Sequence, residues 1–363
     1  MRRGGAGPHR PRQLRHRHLS KVIEVHFMNT LVCEAPGLLR LERRPAPVAA
    51  PGEALVRPRR VGICGTDYHI YEGKHPFLQY PRVMGHELAV EVVEAPPGSG
   101  VEPGGVFAVN PYVACGCCVA CRRGKPNCCA TVSVFGVHRD GGMTGLLAVP
   151  AANLVAAPGL TLDQTALVEF LAIGAHAVRR GETGPGDKAL VVGAGPIGLG
   201  VALFARLAGA EVTVLDRDPR RAGIARSVLD LSALAADRAG LAALSDLTGA
   251  EGFDVVFDAT GSSRAMEGGF DHVAHGGRYV LVSVVKEAIT FNDPDFHRKE
   301  LTLLGSRNAT AEDFSRVIAA IRDGTAPVGR LVTHRTDLAG AASDIARWAG
   351  DKDGLIKAVV EIQ

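Results

Sequence analysis

The chain lacks a long uninterrupted apolar run, and this excludes a membrane-spanning helix. The nearest approach, Ala189 to Ala205, is uncharged but interrupted by Gly193, Gly195, Pro196, Gly198 and Gly200, and it stops at Arg206. It falls short of the ~20 apolar residues that a span needs. Excess charge is missing too. Residues 1–27 hold seven Lys/Arg against Glu24, which more than accounts for the net charge of +3 and leaves the rest of the chain at −3. No basic surface for nucleic acid is implied. The same 27 residues lack the apolar centre of a secretory signal. A mitochondrial transit peptide fits poorly, because the segment has a single Ser and little amphipathicity. They are expected to form a disordered N-terminal extension without function, on a cytoplasmic protein whose folded part begins near Met28.

With 363 residues, of which 46% are hydrophobic and 22% charged, the chain suits about two soluble domains with a sizeable core. From Met28 the pattern is of short β-rich runs punctuated by Pro and Gly: Asn29–Cys33, Ala54–Ile63, Ala89–Glu94 and Val106–Val109. A partly open β-barrel lobe is predicted. Two segments stand out in it, Val61-Gly-Ile-Cys64-Gly-Thr66-Asp67-Tyr-His69 and Pro81-Arg-Val-Met-Gly85-His86-Glu87. Thiol, imidazole and carboxylate are S, N and O donors suited to Zn²⁺, and ligands drawn from separate loops point to an open, catalytic ion.

Six of the eight cysteines lie within Cys115–Cys129. Clustered short spacings without a secretory signal indicate metal rather than disulfides. Cys115, Cys118, Cys121 and Cys129 read C-x2-C-x2-C-x7-C, four thiolates that close a tetrahedral structural zinc. An iron–sulfur cluster is the weaker reading, given the x7 gap and the missing Cys-Pro. Cys117 and Cys128 are left over, and spacing alone does not choose between adjacent cysteines.

The character then changes. Leu162 to Arg180 is predicted as helix, with Glu169 in an apolar stretch where an acid is costly unless paired or bound to metal. A βαβ unit follows: strand Lys188–Gly193, the turn Gly193-Ala-Gly195-Pro196-Ile197-Gly198, a helix to Ala208, and strand Glu211–Leu215 ending at Asp216. A glycine motif between strand and helix, with an acid about 20 residues on, is the dinucleotide fingerprint. The pyrophosphate rests on the helix N-terminus. Asp216 favours NAD over NADP, and the adjacent Arg217 tempers that preference. Further parallel strands are expected at Phe253–Asp258, Gly277–Val284 and Leu301–Leu304, with Thr260 and Ser283 in ligand-facing loops after strand ends. Glu312–Arg322 reads as helix and Ala358–Ile362 as a strand returning to the first lobe.

From about Asn29 to Gln363 these motifs resemble the zinc-containing medium-chain dehydrogenase/reductase family. The resemblance implies a GroES-like β-barrel catalytic domain with a Rossmann domain inserted: residues 28–166 catalytic, with a zinc lobe at 111–130, then 167–307 for NAD, and 308–363 returning to the catalytic domain. It implies two zinc ions per chain, one of them catalytic on Cys64, His86 and the exchangeable carboxylates Glu87 and Glu169. Asp67 would orient His86, and Thr66 with His69 would form a proton relay. Two departures stand out: Phe170 replaces a usual Pro after Glu169, and Met143-Thr-Gly-Leu146 replaces a more polar segment.

Segments such as Asp293–Glu300 and Gly305–Thr310 are similar to the sugar-acid and polyol branch, which oxidises substrates such as L-galactonate at the C5 hydroxyl. The resemblance thereby places Arg298 and Lys299 on a substrate carboxylate. Gly65–Tyr71 also resembles the threonine dehydrogenases. A homodimer or homotetramer is implied. A catalytically inactive zinc- or nucleotide-binding protein is the non-enzyme alternative, and it would need none of Cys64, Thr66, His69, His86 and Glu169.

Overall fold

A computed structural model describes residue 1, residues 26–75 and residues 78–363. The expected N-terminal extension falls almost wholly outside the described residues; the first strand, Phe27–Ala35, opens the fold at its end.

The first half, joined by the last two strands, builds largely antiparallel sheet, in which, among the described residues, Val332–Asp337 and Lys357–Glu361 alone pair in parallel. Its largest sheet runs in the order Leu154–Ala156, Val106–Val109, Glu87–Glu94, Glu53–Ile63, Lys357–Glu361, Val332–Asp337, with Leu147–Pro150 also paired to Glu53–Ile63. The C-terminal strand therefore lies antiparallel beside the strand that leads into Cys64, with Ala358 opposite Ile63. Inward residues of these strands, among them Val61, Ile63, Leu88, Val90, Ala358 and Val360, share one buried cluster. The period-two alternation of half-buried strands produces that pattern.

The second half is a six-stranded parallel sheet in the order Ser232–Ala235, Glu211–Asp216, Lys188–Val192, Phe253–Asp258, Val273–Leu281, Thr302–Gly305. Ala189 and Val191 enter one apolar cluster, and Leu190 between them enters another. Both faces are covered, which is why these strands read as continuous apolar runs. Ser232–Ala235 was not foreseen, because Ser-Ala-Leu-Ala has no β-branched or aromatic residue to signal a strand. The expected Leu162–Arg180 helix is two helices, Leu162–Ala166 and Val168–Arg180, meeting at Leu167. The strand expected at Gly277–Val284 begins earlier, at Val273, with a register break before Arg278.

Helix Ala311–Arg322 buries Phe314, Val317, Ile318 and Ile321 in the core of the parallel sheet. The chain rejoins the first sheet with Val332–Asp337, which pairs parallel to Lys357–Glu361. This helix also carries a buried polar network. Asp313 Oδ2 lies 2.9 Å from His176 Nδ1, and Arg179 donates to both its oxygens at 2.9 Å. Across the ring, His176 Nε2 is 3.1 Å from Asn127 Nδ2, which also donates to the Arg307 carbonyl at 3.0 Å. Asn127 sits between Cys121 and Cys129, so the network ties the cysteine lobe to helices of the cofactor domain.

Burial alone would raise the Asp313 pKa, but hydrogen bonds from His176, Arg179 and Thr310 hold it well below the usual carboxylate range. Its folded value is thus depressed. The stabilisation is fully present above the unfolded value near ~3.9 and disappears as pH falls through the folded one. Asp313→Asn is expected to cost about 2–4 kcal/mol at neutral pH. Denaturant unfolding at pH 7 and at pH 3 checks it, and the gap between variant and wild type should narrow at the lower pH.

Candidate active site

Cys64 caps the short helix Gly65–Tyr71, and Asp67 is that helix's third residue. One oxygen of Asp67 accepts from the Cys64 backbone N–H at 2.8 Å, the other from the Gly85 N–H at 3.2 Å. The carboxylate is fully buried and clamps together the two segments that bear Cys64 and His86. His86 Nδ1 lies 4.0 Å from Asp67 Oδ1, beyond hydrogen-bond distance. Glu87 reaches inward because Gly62 leaves room; a Cβ on Gly62 would stand 2.2 Å from Glu87 Oε2.

Cys64, His86 and Glu87 offer donor atoms that all lie within 4.8 Å of one another. Glu87, however, is already engaged. Lys357, itself buried, donates to both its oxygens at 2.7 and 2.8 Å and to the Ile63 carbonyl at 3.3 Å. Its ammonium lies 4.3 Å from the ring centroid of Phe170, the residue that replaces the usual Pro. Glu169 is placed differently. Its Oε1 accepts from the Tyr112 hydroxyl, and its buried Oε2 has no hydrogen-bond partner among the described residues. The same is true of His86 Nδ1.

Each such orphan costs about 1–3 kcal/mol if left unsatisfied. Burial pushes Glu169 up to about 7. On His86 burial opposes charge, yet Asp67 and Cys64 hold its pKa well above the ordinary value. The pocket has a negative field and donors of S, N and O type, of which His86 Nδ1 and Glu169 Oε2 are unpartnered among the described residues, and these fit a divalent zinc-like cation. Thr66 Oγ1 is 3.8 Å from Cys64 Sγ. His69 is exposed at the next turn of the helix.

In the cysteine lobe the sulfurs of Cys115, Cys118, Cys121 and Cys129 lie within 4.8 Å of one another. Cys118 and Cys121 are 3.5 Å apart, and the Cys115 N–H donates to Cys129 Sγ at 3.3 Å. A tetrahedral zinc–thiolate site places its sulfurs about 3.8 Å apart, so the set fits. The structure selects the spacing read from the sequence and leaves Cys117 and Cys128 outside it.

In the parallel sheet, Gly193 (φ +101°) ends the first strand and Gly195 caps helix Pro196–Leu207, with Pro196 at its first position. Ile197 follows, and a Cβ on Gly198 would stand 1.8 Å from the Gly193 carbonyl. Asp216 is buried at the end of the next strand. Its Oδ2 accepts from the Ala194 N–H at 2.7 Å and its Oδ1 from the Asp218 N–H at 2.8 Å, so it braces the glycine turn. Arg217 is exposed beside it. Thr260 bonds Asp258 through both N–H and hydroxyl at 2.9 Å, and the Ser283 N–H donates to the Asp258 carbonyl at 3.3 Å. All of these lie at carboxyl ends of strands, where such sheets bind ligands.

Arg298 and Lys299 are not brought to that edge. Lys299 Nζ donates to the carbonyl of Val273, the first residue of its strand, at 2.8 Å. Arg298 pairs with Asp295 and faces His275. The amino end of that strand lies five residues along its neighbour from the ligand edge, about 16 Å away. Arg298 and Lys299 lie at that end because helix Asp293–Arg298 runs back to the far edge before Thr302–Gly305 begins. Sequence reasoning missed Lys357, Tyr112 and Arg221, whose Nη1 stands 3.9 Å from a Cβ position on Gly195. A lone Lys in an apolar strand was the available signal for Lys357.

Two family models match, an alcohol dehydrogenase GroES-like domain over residues 50–159 and a zinc-binding dehydrogenase over residues 196–323. The chain is 42% identical over 335 residues to L-galactonate-5-dehydrogenase of Escherichia coli K12, covering 92% of this chain and 98% of the relative. It is 34% identical to 2-dehydro-3-deoxy-L-galactonate 5-dehydrogenase of Pseudoalteromonas atlantica, covering 85% and 92%. Among solved structures, rspB of E. coli CFT073 complexed with NADH superposes with a TM-score of 0.86 at 30% identity, covering 93% of this chain and 99% of that one. With the zinc-type donor sets and the glycine turn in place, the chain belongs to the zinc-containing alcohol dehydrogenases of the medium-chain dehydrogenase/reductase family and is an oxidoreductase.

Proposed function

We propose that the protein oxidises a secondary hydroxyl of a sugar acid or polyol, with L-galactonate at C5 as the leading substrate and NAD as hydride acceptor. The observation that carries the chemistry is the cluster of Cys64, His86 and Glu87, whose donor atoms lie within 4.8 Å of one another, together with two buried atoms that have no hydrogen-bond partner among the described residues, His86 Nδ1 and Glu169 Oε2. The substrate class rests on the 42% identity to a dehydrogenase of that name.

Cys64, His86 and Glu169 would hold a catalytic zinc, while Lys357 keeps Glu87 in reserve as the exchangeable carboxylate. A zinc there supplies Lewis acidity that lowers the pKa of the substrate hydroxyl, and NAD supplies the hydride acceptor. Thr66, beside Cys64, would take up the substrate hydroxyl proton as it gives up its own, and His69 would deliver a proton to solvent. Loss of water lowers the His69 pKa most; Glu72 opposes this, and Lys352, Lys74 and Lys286 add to it. At neutral pH His69 is therefore the free base that a relay needs. The three lysines also make this region electropositive, which suits an acid better than a neutral polyol. Asp216 supports NAD over NADP, and Arg217 and Arg221 weaken that preference. A second, structural zinc on the four-cysteine lobe, a cytoplasmic location and a homodimer or homotetramer complete the reading. The edge strand Thr302–Gly305 offers an unpaired ladder for such assembly.

Three measurements test this. Elemental analysis should find about two zincs per chain, and Cys64→Ser should lose one of them together with turnover while keeping the fold. His69→Gln should slow oxidation by about 10²–10⁴-fold and remove the acid limb of the rate profile, which lies below the ordinary histidine range. A panel of sugar acids, polyols and threonine with NAD⁺ and with NADP⁺, followed by absorbance of the reduced cofactor, identifies the substrate. On it, Lys286→Ala should raise KM for the acid several-fold more than for a polyol of equal length, by about 1 kcal/mol of lost charge pairing. Arg298→Ala should leave both unchanged. Threonine turnover above that of every sugar acid would reassign the substrate.

A further inference from the structure

Cys117 belongs to neither metal set, yet it is not remote from one. It is exposed, and its thiol points at Cys115 with the two sulfurs 3.7 Å apart. The residue between them, Gly116, sits at φ +75° with open space around its Cβ position. A glycine there lets the short Cys-Gly-Cys segment turn without steric resistance. The segment precedes helix Val119–Arg122, and Arg122 of that helix donates to the Cys117 carbonyl. The other free thiols are placed differently: Cys33 is buried, and Cys128 is exposed on the 3-10 turn Pro126–Cys128.

We infer that Cys115 and Cys117 form a peroxide-sensitive dithiol, whose oxidation to a disulfide removes one ligand from the four-cysteine site and releases its metal. The co-reactant is hydrogen peroxide. The Cys117 thiolate attacks one peroxide oxygen; an S–O bond forms, the O–O bond breaks and hydroxide leaves. The sulfur gains an oxidation step as a sulfenic acid, and the peroxide is reduced. The Cys115 thiolate then attacks that sulfur; an S–S bond forms, the S–O bond breaks, and a second hydroxide leaves to be protonated. Two thiols and one peroxide give one disulfide and two waters. Cys115 no longer offers a thiolate, and three sulfurs hold zinc more weakly than four. A dithiol reductant with added zinc reverses the sequence.

The consequence reaches beyond the lobe, because Asn127 lies within it and hydrogen-bonds His176 on the helix that carries Glu169. Loss of the metal frees the lobe and loosens one end of that network.

The test uses the purified, zinc-loaded full chain treated with hydrogen peroxide, with released zinc read by a chromogenic chelator and disulfides mapped by peptide mass. Expected are the loss of two hydrogens from the peptide bearing Cys115 and Cys117, and zinc release that slows at least about tenfold in Cys117→Ser but not in Cys128→Ser. Untreated Cys117→Ser should retain its zinc, melting temperature and dehydrogenase activity. Equal release from wild type and Cys117→Ser overturns the inference. So does oxidised wild-type protein without the Cys115–Cys117 bond, a result that requires no variant to fold. Disulfide mapping reads the bond whether or not zinc is counted, so its failure is separable from failure of the proposed metal sites or substrate.

Discussion

The ion pair between Glu87 and Lys357 joins the two ends of the catalytic domain in the interior of the molecule. Lys357 comes from the last strand and Glu87 from the strand after the His86 turn, and both side chains are almost fully excluded from solvent. Removing one partner of a buried pair typically costs about 3–5 kcal/mol, because the survivor is left charged in a poor solvent. The pair therefore locks the register of the returning strand against the strand that ends at Cys64. It also keeps a carboxylate within reach of the metal donors while occupying both its oxygens. Phe170 closes the other side of the ammonium, so the departure from the family's Pro has a role in covering Lys357.

Most of the site could be read from the sequence because metal and nucleotide sites are written in short motifs. Cys64 and His86 lie in short segments whose donor types suit a metal and whose ligand roles the family resemblance implies, and the glycine turn announces itself between a strand and a helix. What could not be read depends on residues meeting across hundreds of positions. Lys357 reads as one polar residue in a strand until the sheet order places it on Glu87. The packing of helix Ala311–Arg322 on the parallel sheet is not legible either, because a helix does not state which core it packs on. The position of Arg298 and Lys299 at the amino ends of the strands is hidden for a related reason. A basic run preceded by a turn shows charge, but which end of a parallel sheet it occupies is set by the crossover.

The two predicted metal sites are held by different physics. The four-cysteine set is local, formed by fifteen consecutive residues, and needs only its own turns. The catalytic set is assembled from distant segments, and Asp67 does the assembling: its two oxygens satisfy one backbone donor from each ligand-bearing segment. Because those bonds are made to main chain, they fix where the loops lie and leave the side chains of Cys64 and His86 free to face the ion.

Asp216 carries a similar double duty, with a consequence for redesign. The carboxylate proposed to read the cofactor's ribose also accepts the Ala194 N–H within the glycine turn. On that proposal, selectivity for the sugar and the shape of the phosphate cradle share one side chain. An engineer wishing to switch the coenzyme cannot treat this position as an isolated selector, since a smaller neutral residue would relax the cradle as it relaxes the choice. Exposed neighbours such as Arg217, which hold no part of the turn, are the safer handles.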